Sequence, residues 1–332
     1  MKLKVIIPIA LGIALIVYLI SHIGFADVFS SVTAIGWAGF LLFCAIGLAN
    51  FALLGLSWFV LVPKLPLARV PVFIWGRLIR DSSSEILPFS QVGGFVFGAR
   101  ALVLHRVSGA TATASTIVDV TTELVAQLAF IALGLVMLTT RAPDTPFKTN
   151  MTLAMGIGLG LAALAAGGFL VAQRHGLEFL ERMTARFLPK ALEQTGAVKR
   201  AINGIHGSLG RLGLSVALHL ASWIAGASAT YVALRLMGTH IEFGAALAIE
   251  GLLSAVRSAA FAIPSAVGVQ ELTYAMLVPL FGLQPSVGLA LSLIKRGRDI
   301  LIGAPALLAW QVLEGHRQLA LNNAAAKPLG DQ

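Results

Sequence analysis

The residues of this chain that could do chemistry are charged side chains set inside apolar runs. Glu85 and Arg100 lie in one interrupted apolar stretch, Pro71–Leu104, and Asp119 and Glu123 lie in the next. The pattern recurs with Glu250, Arg257 and Glu271 within Ala245–Phe281, then Lys295, Arg296, Arg298 and Asp299 within Pro285–Leu313. Asp119 and Glu123 are four apart, so a helix carries both carboxylates on one face, and Lys295, Arg298 and Asp299 share a face by the same spacing. A charge at mid-bilayer costs several kcal/mol on insertion scales, so such groups face a cavity or a partner. Basic side chains, arginine above all, hold phosphate and other polar headgroups, which makes Arg100, Arg257, Lys295 and Arg298 candidate substrate contacts. Glu85, Asp119, Glu123, Glu250, Glu271 and Asp299 are candidates for exchanging protons or cations, or for lining a cavity. The competing reading is that these charges only pair with one another, although a purely structural core is often more stable when apolar.

The elements that must position these groups are membrane helices. Of the 332 residues, 57% are hydrophobic and 12% charged, with a mean hydropathy of +0.87. Soluble domains carry about 25% charged residues. A chain this apolar has too little polar surface to face water, and disordered, fibrous and disulfide-stapled secreted classes are excluded with it. The single cysteine, Cys44, lies in an apolar run and reads as a small packed hydrophobe. The formal charge of +9 fits cytoplasmic loops beside anionic lipid headgroups, with no nucleic-acid partner.

Runs of about 20 residues cross a bilayer. They are Val5–Ile20, Trp37–Val62, Thr111–Thr140, Met151–Gln173, Leu212–Leu236 and Pro285–Leu313. The first is not a cleaved secretory signal, because Ser21-His22-Ile23-Gly24 is no small-x-small site. Pro71–Leu104 and Ala245–Phe281 behave differently. The first is broken at Pro88 and Gly93-Gly94, the second at Pro264 through Gly268. Backbone freed by such breaks is tolerated at membrane depth only inside protein or beside a water-filled cavity. Both read as re-entrant hairpins turning near Pro88 and Pro264, the plainer alternative being two kinked full spans. The expected fold is all-α, a polytopic membrane protein of about six transmembrane helices plus two re-entrant helical hairpins, in one transmembrane domain over 1–332.

The loops set an orientation. Lys2 and Lys4 precede the first span, Lys64, Arg69, Arg77 and Arg80 follow the second, and Arg174 to Arg211 holds seven basic residues against three acids. The positive-inside rule places these groups and both termini in the cytoplasm, with Arg141–Asn150 outside. Leu180, Met183, Phe187 and Leu188 recur at helical spacing among charges, so 174–211 reads as an amphipathic segment on the inner leaflet, in contact with anionic lipid headgroups. The two broken segments also resemble each other. An offset of 175 residues places Val92-Gly93 on Val267-Gly268, Leu102-Val103 on Leu277-Val278, and Glu123 on Arg298. With the first hairpin entering from the cytoplasm and the second from outside, units of about 37–140 and 212–313 form an inverted repeat. Inverted repeats whose discontinuous helices meet near the midplane are a recurrent plan of secondary transporters. Of the remaining polar residues, His219, Asn50 and Gln127 read as interhelical hydrogen-bond partners, and Gly156, Gly158, Gly160 and Gly167-Gly168 as sites of close helix approach.

Three stretches carry a resemblance. They are Leu87-Pro88-Phe89-Ser90-Gln91-Val92-Gly93-Gly94 through Arg100, Ile117-Val118-Asp119-Val120-Thr121-Thr122-Glu123, and Ile263-Pro264-Ser265-Ala266-Val267-Gly268-Val269-Gln270-Glu271. Together they resemble the flippase-like membrane domain family, which shares the transmembrane part of lysylphosphatidylglycerol synthases. The Pro-x-x-x-Gly-x-x-Glu pattern at 264–271 is the most specific piece, although members usually place a second glycine where this chain has Ser265-Ala266. Gln91-Val92-Gly93-Gly94 and Lys295-Arg296-Gly297-Arg298-Asp299 are most similar to the subgroup associated with bacterial hopanoid biosynthesis. The resemblance implies a bacterial inner-membrane protein that moves or handles lipid: a lysylated phospholipid in the synthases, a hopanoid or related isoprenoid in the subgroup, with hopanoid-biosynthesis proteins as partners. It marks Arg100, Asp119, Glu123, Pro264, Gly268 and Glu271.

These readings converge on lipid translocation by alternating access. Arg100, Arg257 and Arg298 would hold a polar or anionic headgroup, and Asp119, Glu123 and Glu271 would couple protonation or complete the cavity. An intramembrane lipid-modifying enzyme using Asp119 and Glu123 as acid and base is the alternative, as is a non-catalytic scaffold for hopanoid biosynthesis. The sequence offers no nucleophile elbow, Walker loop, His-Glu-x-x-His or Cys/His metal spacing. The soluble aminoacyl-transfer domain of the synthases has no counterpart among these residues. No enzyme activity, catalytic residue, cofactor or metal is therefore expected.

Overall fold

The computed structural model describes residues 2–87, 90–144, 146, 148–160, 163–164, 189–260 and 263–325, which are helical almost throughout, with no strand among them. A helix satisfies its own backbone groups, the condition for so apolar a chain to sit in lipid. The helices are α1 (Lys2–Ile23), α2 (Phe25–Ala34), α3 (Gly36–Phe59), α4 (Val70–Ile86), α5 (Ser90–Leu104) and α6 (Gly109–Arg141). After them come α7 (148–160), α8 (Pro189–His206), α9 (Leu209–Leu236), α10 (Phe243–Ala259), α11 (Val269–Leu277) and α12 (Pro285–Ala325). This is an all-α polytopic membrane protein.

Three helices, α3, α6 and α9, are long and apolar enough to cross a membrane unbroken. A fourth candidate span is bent: α1 turns by 96° into α2 at Gly24, whose φ of 109° lies in a region that glycine enters without steric penalty. The sequence alone predicts a single transmembrane helix here, over Val5–Ile20. Of the other two expected spans, Met151–Gln173 is described only at 151–160 and 163–164, and α12 carries Lys295, Arg296, Arg298 and Asp299 within its 41 residues. Among the described residues no atom lies within 4 Å of where a Cβ on Gly156, Gly158 or Gly160 would stand; Gly167-Gly168 lie outside the described residues.

Each broken apolar stretch is a pair of short helices. In the first, α4 and α5 run antiparallel, and Arg69 Nη1 donates to His105 O at 2.7 Å where their outer ends meet. Pro88 lies outside the described residues. Gly93 and Gly94, assigned to the turn from sequence, belong instead to helix α5. A Cβ on Gly94 would lie 2.0 Å from Ser84 Oγ and 2.5 Å from Arg80 O, so this glycine lets α5 lie against α4. In the second stretch α10 ends before Pro264, which opens a short 3-10 turn, Pro264–Ala266. Ser265 and Ala266 have φ of 51° and 46°, and Gly268, at 83°, precedes α11. Two consecutive non-glycine residues in the left-handed region are strained and need outside support. Part of it comes from the other hairpin, because Ser265 Oγ donates to Glu85 O at 2.6 Å. The two hairpins therefore touch at their tips, where Arg257 also pairs with Glu85.

The order long helix, broken hairpin, long helix occurs twice, as α3–α4–α5–α6 and α9–α10–α11–α12. The largest apolar cluster joins α6, α9, α10 and α12 through Leu138, Leu234, Ile249, Leu252 and Leu291. A second joins Trp58, Phe73 and Leu102 to Ile202 and Ile205 of α8. Helix α8 is thus packed into the bundle on one side, while 174–188 of the expected amphipathic segment lie outside the described residues. In the loop after α6, Lys148 Nζ donates to Thr139 O, Ala142 O and Asp144 Oδ1, and this last hydrogen bond together with the ammonium charge holds the exposed Asp144 carboxyl below the usual range. Helices α6 and α10 meet at Gly134 and Gly251, where a Cβ on Gly134 would stand 2.9 Å from the Gly251 Cα. Gly134→Ala should force the helices apart and destabilise the protein by about 1–3 kcal/mol, read as a lower thermal midpoint in detergent or nanodiscs.

Candidate functional site

Between the hairpin tips and the long helices lies a cavity of about 450 Å³. Five basic side chains (Arg77, Arg80, Arg257, Lys295, Arg298) and five carboxylates (Asp81, Glu85, Glu123, Glu250, Asp299) line it. Phe51, Leu54, Val120, Leu124, Trp223 and Leu253 supply apolar wall between the charges.

One network closes the side built from α4 and α6. Arg77 donates from Nε to Asp81 Oδ2 at 2.9 Å, from Nη1 to Asp119 Oδ2 at 3.1 Å and to Glu123 Oε2 at 3.0 Å, and from Nη2 to Glu123 Oε1. Arg80 donates to Asp119 Oδ2 and Glu123 Oε2, both at 2.6 Å, and its guanidinium stacks on Phe95, 4.5 Å from the ring centre. Asp119 lies behind Glu123 and is fully buried, with its other oxygen 3.0 Å from His219 Nε2 on α9. The same imidazole nitrogen is 3.2 Å from Ser57 Oγ on α3. The four-residue spacing of Asp119 and Glu123 thus does put both carboxylates on one face, and Arg77 and Arg80, three apart on α4, span that face as a pair.

The opposite side holds a second network. Glu250 Oε1 accepts from Thr230 Oγ1 at 2.6 Å, from Tyr274 OH at 2.5 Å and from Lys295 Nζ at 3.0 Å. Lys295 Nζ also donates to Glu250 Oε2 at 2.9 Å and Tyr274 OH at 2.7 Å. Arg298 donates to Asp299 Oδ1 at 2.7 Å and stacks on Phe43. Arg257 bridges the two sides, pairing with Glu85 across the tips and donating to Gln270 Oε1 at 2.6 Å.

Seven of the ten charged candidates read from sequence therefore line the chamber: Glu85, Glu123, Glu250, Arg257, Lys295, Arg298 and Asp299. Three do not. Asp119 is second in line behind Glu123. Glu271 is an anchor: its Oε2 accepts from the Gly268 N–H at 2.8 Å, closing the first turn of α11, and its Oε1 accepts from Ser292 and Arg296. Arg100 lies at the outer end of the α4–α5 hairpin, paired with Glu314 at 2.6 Å and 40% exposed. An exposed pair of this kind is worth little. Arg100→Ala should shift stability by no more than about 1 kcal/mol and leave the chamber's activity at the wild-type level.

The sequence reading also missed Arg77, Arg80 and Asp81. It counted the arginines as cytoplasmic loop charges, but both sit in α4 with side chains 3% and 4% exposed. The signal that could have found them is the Arg77/Asp81 spacing of four, an intrahelical pair in place of a loop. Tyr274 was likewise not assigned to the network it joins, whereas His219, read as an interhelical hydrogen-bond partner, is one, to Asp119 of α6 and Ser57 of α3.

This arrangement can bind a charged ligand by exchange. Every cation in the chamber already has a carboxylate, so an incoming anion must take a cation from its partner and leave a buried carboxylate unpaired, which is strongly unfavourable. A ligand that offers donors and acceptors together meets both halves of a parted pair.

The model of the family described as lysylphosphatidylglycerol synthase TM region matches residues 5–306. No curated protein and no solved structure matches the chain.

Proposed function

The chain belongs to the family of the lysylphosphatidylglycerol synthase transmembrane region, and from that membership we propose that it carries a polar-headed lipid across the bilayer by alternating access. The observation that supports this most is the chamber itself: a cavity of about 450 Å³, lined by five basic and five acidic side chains with apolar wall between them, set between the tips of two broken hairpins. A charged chamber inside an apolar protein suits a headgroup whose tails stay in lipid. The units 37–140 and 212–313 act as copies in inverted orientation, so that exchanging their conformations exchanges the side to which the chamber opens. The Glu85–Arg257 pair and the Ser265 hydrogen bond are the contacts that such an exchange must part.

The substrate class is a hopanoid or other isoprenoid lipid, or a phospholipid, in the bacterial cytoplasmic membrane, with both termini on the cytoplasmic side and the basic 174–211 segment against anionic headgroups. Hopanoid-biosynthesis proteins are the partners in the first case. A lipid-modifying enzyme using Asp119 and Glu123 as acid and base is less well supported, because Arg77, Arg80 and His219 already engage all four carboxylate oxygens.

Vesicles reconstituted with the protein and either a tail-labelled phospholipid or a labelled hopanoid polyol test the proposal. Loss of signal to a membrane-impermeant reagent should proceed faster than in protein-free vesicles, with lipid masses unchanged. Glu123→Gln should fall to the protein-free rate while retaining its fold by thermal melt. Protein-free rates for every lipid offered, or a change in lipid mass, would overturn the proposal.

A further inference from the structure

We propose that His219 is the binding site of a coupling proton, whose arrival drives the chamber from one conformation to another. The proposal rests on the translocation reading above and names its coupling ion.

His219 is fully buried on α9. Its Nε2 stands 3.0 Å from Asp119 Oδ1 and 3.2 Å from Ser57 Oγ, and its buried Nδ1 has no hydrogen-bond partner among the described residues. The charged groups that face it are Asp119 and, one turn on, Glu123 from α6, and beyond them Arg77, Arg80 and Asp81 from α4. Helix α3 contributes only the Ser57 hydroxyl. Two guanidiniums stand against three carboxylates in this set, a formal charge of −1 with a neutral imidazole and zero with an imidazolium. Charge balance therefore calls for a proton on His219.

Hydrogen bonding in this conformation calls for the opposite. An imidazolium donates from both nitrogens, and a second N–H at Nδ1 would point at no acceptor, the arrangement that leaves a buried donor with its full desolvation penalty. The two demands are met by different conformations. The one described suits neutral His219; one that brings an acceptor or water to Nδ1 suits the imidazolium. A ligand that binds two states unequally shifts the equilibrium between them, and the proton is such a ligand here. The shift reaches the chamber through Asp119, because Arg80 spans Asp119 and Glu123, and Glu123 lines the cavity.

The test uses the full chain in nanodiscs, with Cys44→Ala and spin labels at Val96→Cys on α5 and Ala259→Cys on α10, both exposed positions. Two label distances should interchange with pH, their ratio changing by up to about tenfold per pH unit, the ceiling for one proton. His219→Gln, which keeps a donor but takes no proton, should hold the ratio constant with pH. Asp119→Asn, which removes the unbalanced charge, should move the midpoint to lower pH. A flat ratio in the wild type, a pH-dependent ratio that survives His219→Gln, or an unmoved midpoint in Asp119→Asn if His219→Gln does not fold, would overturn the proposal. Lipid transfer in vesicles separates the two readings. Transfer indifferent to pH rejects the proton and keeps translocation, whereas pH-dependent distances without transfer of any lipid keep the switch and reject translocation.

Discussion

Arg80→Met will abolish lipid transfer and lower the free energy of unfolding by about 3–5 kcal/mol, the effect of removing one partner from a buried ion network. Arg80 is 4% exposed and holds Asp119 and Glu123 together, each at 2.6 Å. Methionine fills much the same volume beside Phe95, so the loss isolates the charge from the packing. Without Arg80, three carboxylates share the guanidinium of Arg77 alone. Adding Asp119→Asn should recover most of the stability by removing the stranded charge, and transfer should stay absent because Glu123 no longer has its second clamp. Thermal or denaturant unfolding in nanodiscs gives the first quantity and the vesicle assay the second. Wild-type transfer in Arg80→Met would show that the network is scaffolding only.

The second large effect is expected at Lys295. Lys295→Met strands the Glu250 carboxylate among Thr230 and Tyr274 hydroxyls, and the expected loss is again about 3–5 kcal/mol. Glu250→Gln in the same chain keeps the acceptor for Thr230 Oγ1 and Tyr274 OH while removing the charge. The double variant should therefore be more stable than Lys295→Met alone, with a coupling energy of about 0.5–3 kcal/mol in the double-mutant cycle. Transfer should remain lost in the double variant, since there is no pair left for a headgroup to part. Recovery of transfer together with stability would assign the pair to folding alone.

Much of this was legible in the sequence, for definite reasons. Long apolar runs leave helices as the only way to satisfy the backbone in lipid, and α3, α6 and α9 stand where those runs lie. Pro264 and Gly268 mark the second break because one lacks an N–H to continue a helix and the other takes a positive φ. The first break was harder to read. Glycine in a membrane helix can mark a turn or a close approach, and Gly94 proves to be the latter, which only the position of Ser84 and Arg80 reveals. Arg77 and Arg80 were misplaced because counting basic residues between spans cannot tell a loop from a buried helix. Glu271 looked like a chamber acid, but its carboxylate is consumed by a backbone N–H three residues earlier and by Arg296. The partnership of His219 with Asp119 joins positions 100 residues apart, and no periodicity reports that.

The contact between the hairpin tips carries an electrical consequence. Arg257 and Glu85 ride on different hairpins, so a motion that parts them sends opposite charges in opposite directions. If the motion has a component along the membrane normal, the displacement is a gating current. Each elementary charge that crosses the full field is worth about 2.3 kcal/mol per 100 mV, so turnover would respond to the membrane potential even at constant pH.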